Sequence, residues 1–279
     1  MNGKICIVTG ANSGIGITTA LGLAKKGAHV VMACRDVERS QPVQAKIKKD
    51  SGSEKVDLLK LDLASQESIR SFADTFLKTY DRLDVLVNNA AVVPSKRQET
   101  AEGYEAQFGV NHLGHFLLTH LLLDRLKECA PSRVVTVASI VHTSGIINFD
   151  DLQSDEKYSI MGAYNNSKLA NVLFTFELAR RLEGTGVTAN CLHPGVVNTR
   201  IMRDLPIIVR PIVKFAGLFM LNSEKGAATS LHLATAPELE SVTGKYFDKC
   251  AESKCSSKAK DQEVASKLWE LSEQFTGIQ

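Results

Sequence analysis

From end to end this chain alternates short runs that are apolar on both faces with longer segments of helical periodicity, and no other feature restricts the fold as much. The run Val134-Val135-Thr136-Val137 shows the type. A strand this apolar on both sides has to be covered on both sides, which is the condition of a parallel sheet joined by right-handed helical crossovers. Strands are predicted at 4–9, 28–34, 56–61, 84–88, 133–138, 187–192 and 243–247. Helices are predicted at about 14–26, 40–50, 66–80, 103–129, 157–183, 224–235 and 261–274. The expected fold class is therefore α/β: a Rossmann-type, doubly wound parallel sheet of about seven strands with helices on both faces. Neither a repeat nor a linker interrupts the sequence, so one domain is expected over 1–279, with an apolar lid at about 198–224.

Several function classes are excluded by composition. With 33 basic and 31 acidic residues the net charge is +2, and no basic block points to nucleic acid. Six scattered cysteines form no C-x-x-C pair, which fits free thiols in a reducing compartment, and no H-E-x-x-H or other metal motif occurs. His112 and His115 share a helical face without a cysteine or carboxylate partner, so packing and hydrogen bonding are expected of them rather than metal binding. The first apolar run, Ile5-Cys6-Ile7-Val8, is strand-sized, so neither a signal peptide nor a transmembrane anchor is expected there. Residues 205–221 are strongly apolar but are broken by Pro206, Arg210, Pro211 and Lys214, well short of a spanning helix.

Most of the chemistry-bearing residues fall at strand ends. Gly10, Asn12, Ser13, Gly14, Ile15 and Gly16 follow the first strand and open the first helix, where glycines permit close backbone approach and free N–H groups suit a pyrophosphate. A P-loop is ruled out because no Lys-Ser or Lys-Thr closes the motif. Arg35 after the second strand suits the extra phosphate of NADP, whereas Asp36 would suit the bare ribose of NAD; NADP (NADPH) is expected over NAD. Asp62 and Leu63 follow the third strand, either capping the next helix or facing the adenine. Asn88 and Asn89 end the fourth strand ahead of Ala90, and Ser139 ends the fifth. Asn111 lies within a helical run that it does not favour, and so requires a reason. Tyr164 and Lys168 are four residues apart on one helical face, where an ammonium near a phenol favours its ionised form.

In order along the chain, T-G-x-x-x-G-x-G, Asn88-Asn89-Ala90, Asn111, Ser139, Tyr164-x-x-x-Lys168 and Pro194-Gly195 resemble the short-chain dehydrogenase/reductase family. Ala33-Cys34-Arg35-Asp36, Val110-Asn111-His112-Leu113-Gly114-His115-Phe116, the run from Tyr164 to Asn171 and His193-Pro194-Gly195 resemble its retinol dehydrogenase branch. The resemblance implies hydride transfer between a nicotinamide and an alcohol, aldehyde or ketone. Tyr164 would be the acid or base, Lys168 would lower its pKa and hold the nicotinamide ribose, and Ser139 would bind the reacting oxygen. Asn111 would hold a water chain feeding the lysine, while Pro194, Gly195 and Thr199 would line the nicotinamide end. Ala91 stands where the family usually has glycine.

The 25-residue separation of Ser139 and Tyr164 adds a loop in which His142, Phe149 and Tyr158 are expected to flank the substrate. A hydrophobic small molecule of retinal type is the expected partner, with steroids and lipid-derived carbonyls behind it. A nonenzymatic NADP-binding sensor or scaffold is the alternative of another class. The expected compartment is the cytoplasm, with peripheral contact to an intracellular membrane through 205–221 as the other reading. Homodimerisation through Leu113, Phe116, Leu117 and His120 follows from the resemblance; the same stripe could instead cover the sheet.

Overall fold

The strands line up side by side in the order β3-β2-β1-β4-β5-β6-β7-β8. They are β1 (Ile5–Thr9), β2 (His29–Cys34), β3 (Val56–Lys60), β4 (Val85–Asn88), β5 (Ser132–Val137), β6 (Val187–His193), β7 (Tyr246–Asp248) and β8 (Ala251–Glu252). The computed structural model describes residues 1–195 and 223–278. Seven strands are parallel, and β1, β4 and β6 are buried at every position, as a sheet covered on both faces requires. The two-residue β8 turns back antiparallel along β7 and is too short to leave a period in the sequence.

Helices α1 (Gly14–Lys25), α2 (Val37–Ser51) and α8 (Ser223–Thr235) cover one face. Leu23, Ile47 and Leu233 pack there against Val8, Val30 and Val135. The other face is covered by α3 (Gln66–Thr79), α5 (Gly114–Leu121), α7 (Ile160–Arg181) and α9 (Gln262–Thr276). Capping residues set the helix starts. Asp36 accepts from Arg39 N at α2, Ser65 from Ser68 N at α3, Ser159 from Gly162 N at α7 and Asp261 from Val264 N at α9. Asp62 is therefore not the cap of α3; its Oδ1 accepts from Ala64 N in the turn before it.

The long helix expected over 103–129 is broken. One turn, α4 (Ala106–Phe108), runs into a π-turn at Gly109–Leu113, then α5, then α6 (Leu123–Glu128). Widened turns of this kind occur mostly where a side chain must be re-aimed, and this one carries Asn111.

The apolar stripe of α5 lies inside the chain. Phe116 meets Trp269 of α9 at 4.9 Å between ring centres, and Leu113, Phe116 and Leu117 are all buried. These three side chains are covered within the chain, by α9 and the sheet, while His120, the fourth residue of the stripe, is half-buried. Three side chains lock α9 in place: Gln66 donates to Phe275 O at 2.7 Å, Arg70 to Thr276 O at 2.6 Å, and Tyr104 to Phe275 O at 2.9 Å. No described helix is long and apolar enough to cross a membrane. Thr199 and the expected lid up to 222 lie outside the described residues, and the end of that segment opens α8.

At the amino edge of the sheet Asp84 collects four donors: Ile5 N at 2.8 Å, Lys4 Nζ at 2.8 Å, and Arg82 Nε and Nη2 at 2.8 and 2.7 Å. At the opposite edge the connections leave β1 toward β2 and leave β4 toward β5, so above these two paired strands the connections diverge and leave a crevice.

Candidate active site

That crevice holds a cavity of about 710 Å³. Its floor is the turn after β1, with Gly10 at φ +65° and Gly14 at φ +49°. A Cβ at Gly16 would stand 2.3 Å from Gly10 O and 2.8 Å from Asn89 Nδ2, so only glycine lets α1 start this close to the strand ends. Ser13, the N-cap of α1, makes no side-chain cap, and the first turn carries no acidic residue. Gly14, Ile15 and Gly16 thus present main-chain N–H groups to the cavity with neither a capping oxygen nor a carboxylate in that turn, a seat that fits a pyrophosphate.

Beyond the turn the cavity is lined by Arg35, Asp36, Arg39, Asp62 and Leu63. The Asp36 carboxylate is already used as the cap of α2, accepting from Arg39 N at 3.0 Å. Buried Ser40 ties this corner to the glycine turn: it donates to Asp36 O and accepts from Asn12 Nδ2, at 2.5 and 2.8 Å. Two exposed guanidiniums, Arg35 and Arg39, remain at the rim.

At the other end stand Ser139, Tyr164 and Lys168. Burial pushes the Tyr164 phenol up to about 12, and the hydrogen bond it shares with Ser139 pulls in the opposite direction. Lys168 is 2% exposed, and burial lowers its ammonium from the ordinary 10.5 to about 8. Its Nζ donates to Val137 O at 2.9 Å and lies 5.7 Å from the centre of the Tyr164 ring. The expectation that Lys168 lowers the tyrosine's pKa meets a different geometry here. The lysine is hydrogen-bonded to the strand rather than to the phenol, and desolvation governs both groups.

Asn111 does not line the cavity but holds the loop that does. Its Oδ1 accepts from Val92 N at 2.8 Å, and its Nδ2 donates to Val92 O at 3.2 Å and to Ser167 Oγ at 3.1 Å. Ser167 in turn donates to Tyr164 O at 2.8 Å.

Other expected residues divide. Ala90, Pro194 and Gly195 line the cavity; Asn88 does not, being buried with its amide donated to Thr119 Oγ1 at 2.9 Å. Successive strand residues face opposite sides, so of the pair Asn88-Asn89 only Asn89 turns to the crevice. The loop after Ser139 also departs from expectation. His142 is buried behind Ser139, its Nδ1 bonded to Ser139 O at 2.6 Å and its Nε2 accepting from Ser256 N at 3.2 Å. Phe149 lies under Lys267, whose Nζ is 4.3 Å from the ring centre, and the Tyr158 hydroxyl accepts from Gln107 at 3.2 Å. Ile140, Val141 and Met161 line the cavity instead.

Arg39, Met161 and His193 also line the cavity; the first two have no part in the expectations from sequence, and His193 enters them only within the His193-Pro194-Gly195 motif. Arg39 stands one helical turn beyond Arg35, a spacing that carries a readable signal. His193 takes the Ile140 N–H on Nδ1 at 3.2 Å, and Met161 stands one turn ahead of Tyr164 on the same helix.

The model of the family described as short chain dehydrogenase matches residues 4–206. Retinol dehydrogenase 14 of Homo sapiens is 46% identical over 294 residues, covering 100% of this chain and 88% of the relative. Retinol dehydrogenase 12 of Mus musculus is 48% identical over 277 residues, covering 99% of this chain and 87% of the relative. A solved structure of an uncharacterized protein from Mycobacterium paratuberculosis superimposes with a TM-score of 0.82 at 35% identity, covering 100% of this chain and 95% of that one.

Proposed function

The chain belongs to the short-chain dehydrogenase family as a retinol dehydrogenase-like, nicotinamide-dependent oxidoreductase of CH–OH groups, and from that premise we propose that it uses NADPH to reduce a hydrophobic aldehyde or ketone of retinal type. One observation carries the reading: Tyr164, Ser139 and Lys168 meet at the end of the cavity where Ile140, Val141 and Met161 supply apolar walls. The names of the two dehydrogenases above favour a retinoid as the occupant of those walls.

In this reading Gly14, Ile15 and Gly16 hold the pyrophosphate, and Arg35 and Arg39 hold the 2′-phosphate while Asp36 is occupied as a cap. Asp62 and Leu63 border the adenine. Ala90, Pro194 and Gly195 border the nicotinamide, and Lys168 takes its ribose. When bound, the nicotinamide supplies the hydride. Ser139 positions the substrate oxygen beside the Tyr164 phenol. With its pKa at about 12 the phenol is fully protonated at neutral pH, the form needed to give a proton to an oxygen gaining negative charge. Lys168, at about 8, keeps its charge at pH 7 and stabilises the phenolate that the transfer leaves. The resting, protonated phenol is the form that carbonyl reduction consumes, and an NADPH preference favours that direction.

The test is cofactor oxidation, followed at the NADPH absorbance, with all-trans-retinal, a steroid ketone and a lipid-derived aldehyde offered in turn. Consumption is expected first with retinal, and faster with NADPH than with NADH. Absence of consumption with every carbonyl in both cofactors would sink the proposal and leave a cofactor-binding role as the reading.

A further inference from the structure

His115 is a buried, uncharged imidazole that stands behind the candidate site and bridges the end of β1 to the main chain at Asn111. Its Nε2 lies 2.9 Å from Thr9 Oγ1 and its Nδ1 lies 3.1 Å from Asn111 O. Counting protons fixes which nitrogen carries the hydrogen. Thr9 Oγ1 already accepts from Asn89 N at 2.8 Å and from Ala90 N at 2.9 Å, so its remaining capability is its own O–H. The partners within reach are His115 Nε2 at 2.9 Å and Val87 O at 3.4 Å, and the shorter contact takes the proton. Nε2 is then the acceptor, and Nδ1–H donates to the carbonyl of Asn111.

From this geometry we propose that His115 is a positioning residue, held as the Nδ1–H tautomer, that couples the cofactor turn at Thr9 to the catalytic helix through Asn111. The connection is continuous on both sides. Toward the cofactor, Thr9 holds the two main-chain amides that start the loop after β4, and Asn89 Nδ2 returns a bond to Thr9 O at 2.7 Å. Toward the chemistry, Asn111 grips Val92, the far end of the same loop, from both sides and reaches Ser167, which bonds the carbonyl of Tyr164. The loop from Asn89 to Val92 is thus clamped at both ends, and His115 is the piece common to the two clamps. Burial also keeps the ring neutral, lowering its pKa to about 4, with Lys168 adding repulsion against a second proton. A protonated imidazole could not accept from Thr9. Among the described residues the ring faces a main-chain carbonyl, a hydroxyl and an ammonium, and no group of metal ligands.

The inference rests on the reductase reading for its kinetic arm only. In the full-length protein, His115→Gln places an amide where Nε2 was and keeps the Thr9 partner, while His115→Asn places one where Nδ1 was and keeps the Asn111 partner. The expected result is a split. The Kd for NADPH, read by fluorescence titration, rises roughly five- to tenfold in His115→Asn and less in His115→Gln, and kcat falls by a similar factor in His115→Gln and less in His115→Asn. Equal losses of both quantities in both variants, tracking the fall in Tm, would mean a merely structural ring and overturn the proposal. Nitrogen-15 shifts of the His115 ring in the wild-type protein test the tautomer without any turnover: a protonated Nδ1 is expected, and a protonated Nε2 overturns the coupling. If no carbonyl is reduced, the function fails while the tautomer and the cofactor titration still decide on His115.

Discussion

The two edges of the sheet treat charge in opposite ways. At the amino edge Asp84 is 2% exposed, and its two oxygens take four donors from Lys4, Ile5 and Arg82. At the carboxyl edge Lys168 is equally buried, but the oxygen its ammonium reaches is the neutral carbonyl of Val137. Their pKa values record the contrast. Burial alone would raise Asp84, yet Arg82, Lys4 and the Ile5 N–H outweigh it and hold the carboxyl below its ordinary value. Burial acts unopposed on Lys168 and takes it down to about 8. A buried charge that is fully paired is held in place and is costly only to break, whereas one left underpaired beside a cavity costs stability and keeps its field for a ligand.

The contrast breaks most visibly on Tyr164. Tyr164→Phe should lower turnover by about 10²- to 10⁴-fold, the usual worth of a positioned general acid, with little change in Tm. Steady-state kinetics and a thermal melt on the same sample would show it, and a large fall in Tm with retained turnover would place the tyrosine with the structural charges.

Next in size is the rim. Replacing Arg35 and Arg39 together by Ala should raise the KM for NADPH about tenfold or more while sparing the KM for NADH, because hydrogen bonds from a guanidinium to a phosphate are worth roughly 1.5–3 kcal/mol. Equal changes for both cofactors would move the 2′-phosphate elsewhere.

Asp84→Ala should do the reverse: a loss of about 1–3 kcal/mol, chiefly from the orphaned Ile5 N–H, with kcat of the folded protein unchanged. Lys4 and Arg82 are 35% and 40% exposed on their side chains, so their unpaired charges can turn to water and add little. Urea melts measure this, and a fall in kcat at constant fold would break the division of labour.

The finest discrimination is the sign of the pH dependence. Between about 8 and 10.5 the unfolded chain holds a proton that folded Lys168 has released, so this group makes stability rise with pH there, by at most about 1.4 kcal/mol per pH unit. Asp84 gives stability that is complete above its ordinary value of 3.8 and drains away as pH falls through its lower folded value. Urea midpoints across pH for Lys168→Met and Asp84→Ala should each lose one of these two slopes and keep the other.

What the sequence could disclose follows the same division. Strands apolar on both faces announce themselves because every residue must be buried, and the glycine turn does so because Gly10, Gly14 and Gly16 meet a steric demand no other residue satisfies. The aim of a side chain is decided by partners far along the chain. His142 turns away from the substrate side because Ser256 holds its ring, and Phe149 does so because Lys267 covers it, contacts spanning more than a hundred residues that leave no local pattern. Asn88 and Asn89 were distinguishable by strand alternation alone, once the strand was known to end there. The π-turn around Asn111 could be suspected from an asparagine in a helical run, but its purpose, reaching Val92 and Ser167, could not.

Helix α9 makes assembly order matter. The face of α7 that carries Phe174 is closed by Trp269, and α3, near the start of the chain, is bonded to the carbonyls of Phe275 and Thr276. A growing polypeptide can therefore form its cofactor turn early, but the helix bearing Tyr164 and Lys168 keeps an uncovered aromatic flank until α9 has been synthesised. The working end is completed last, and until then an apolar helix flank stands open where the oxidoreductase site will be.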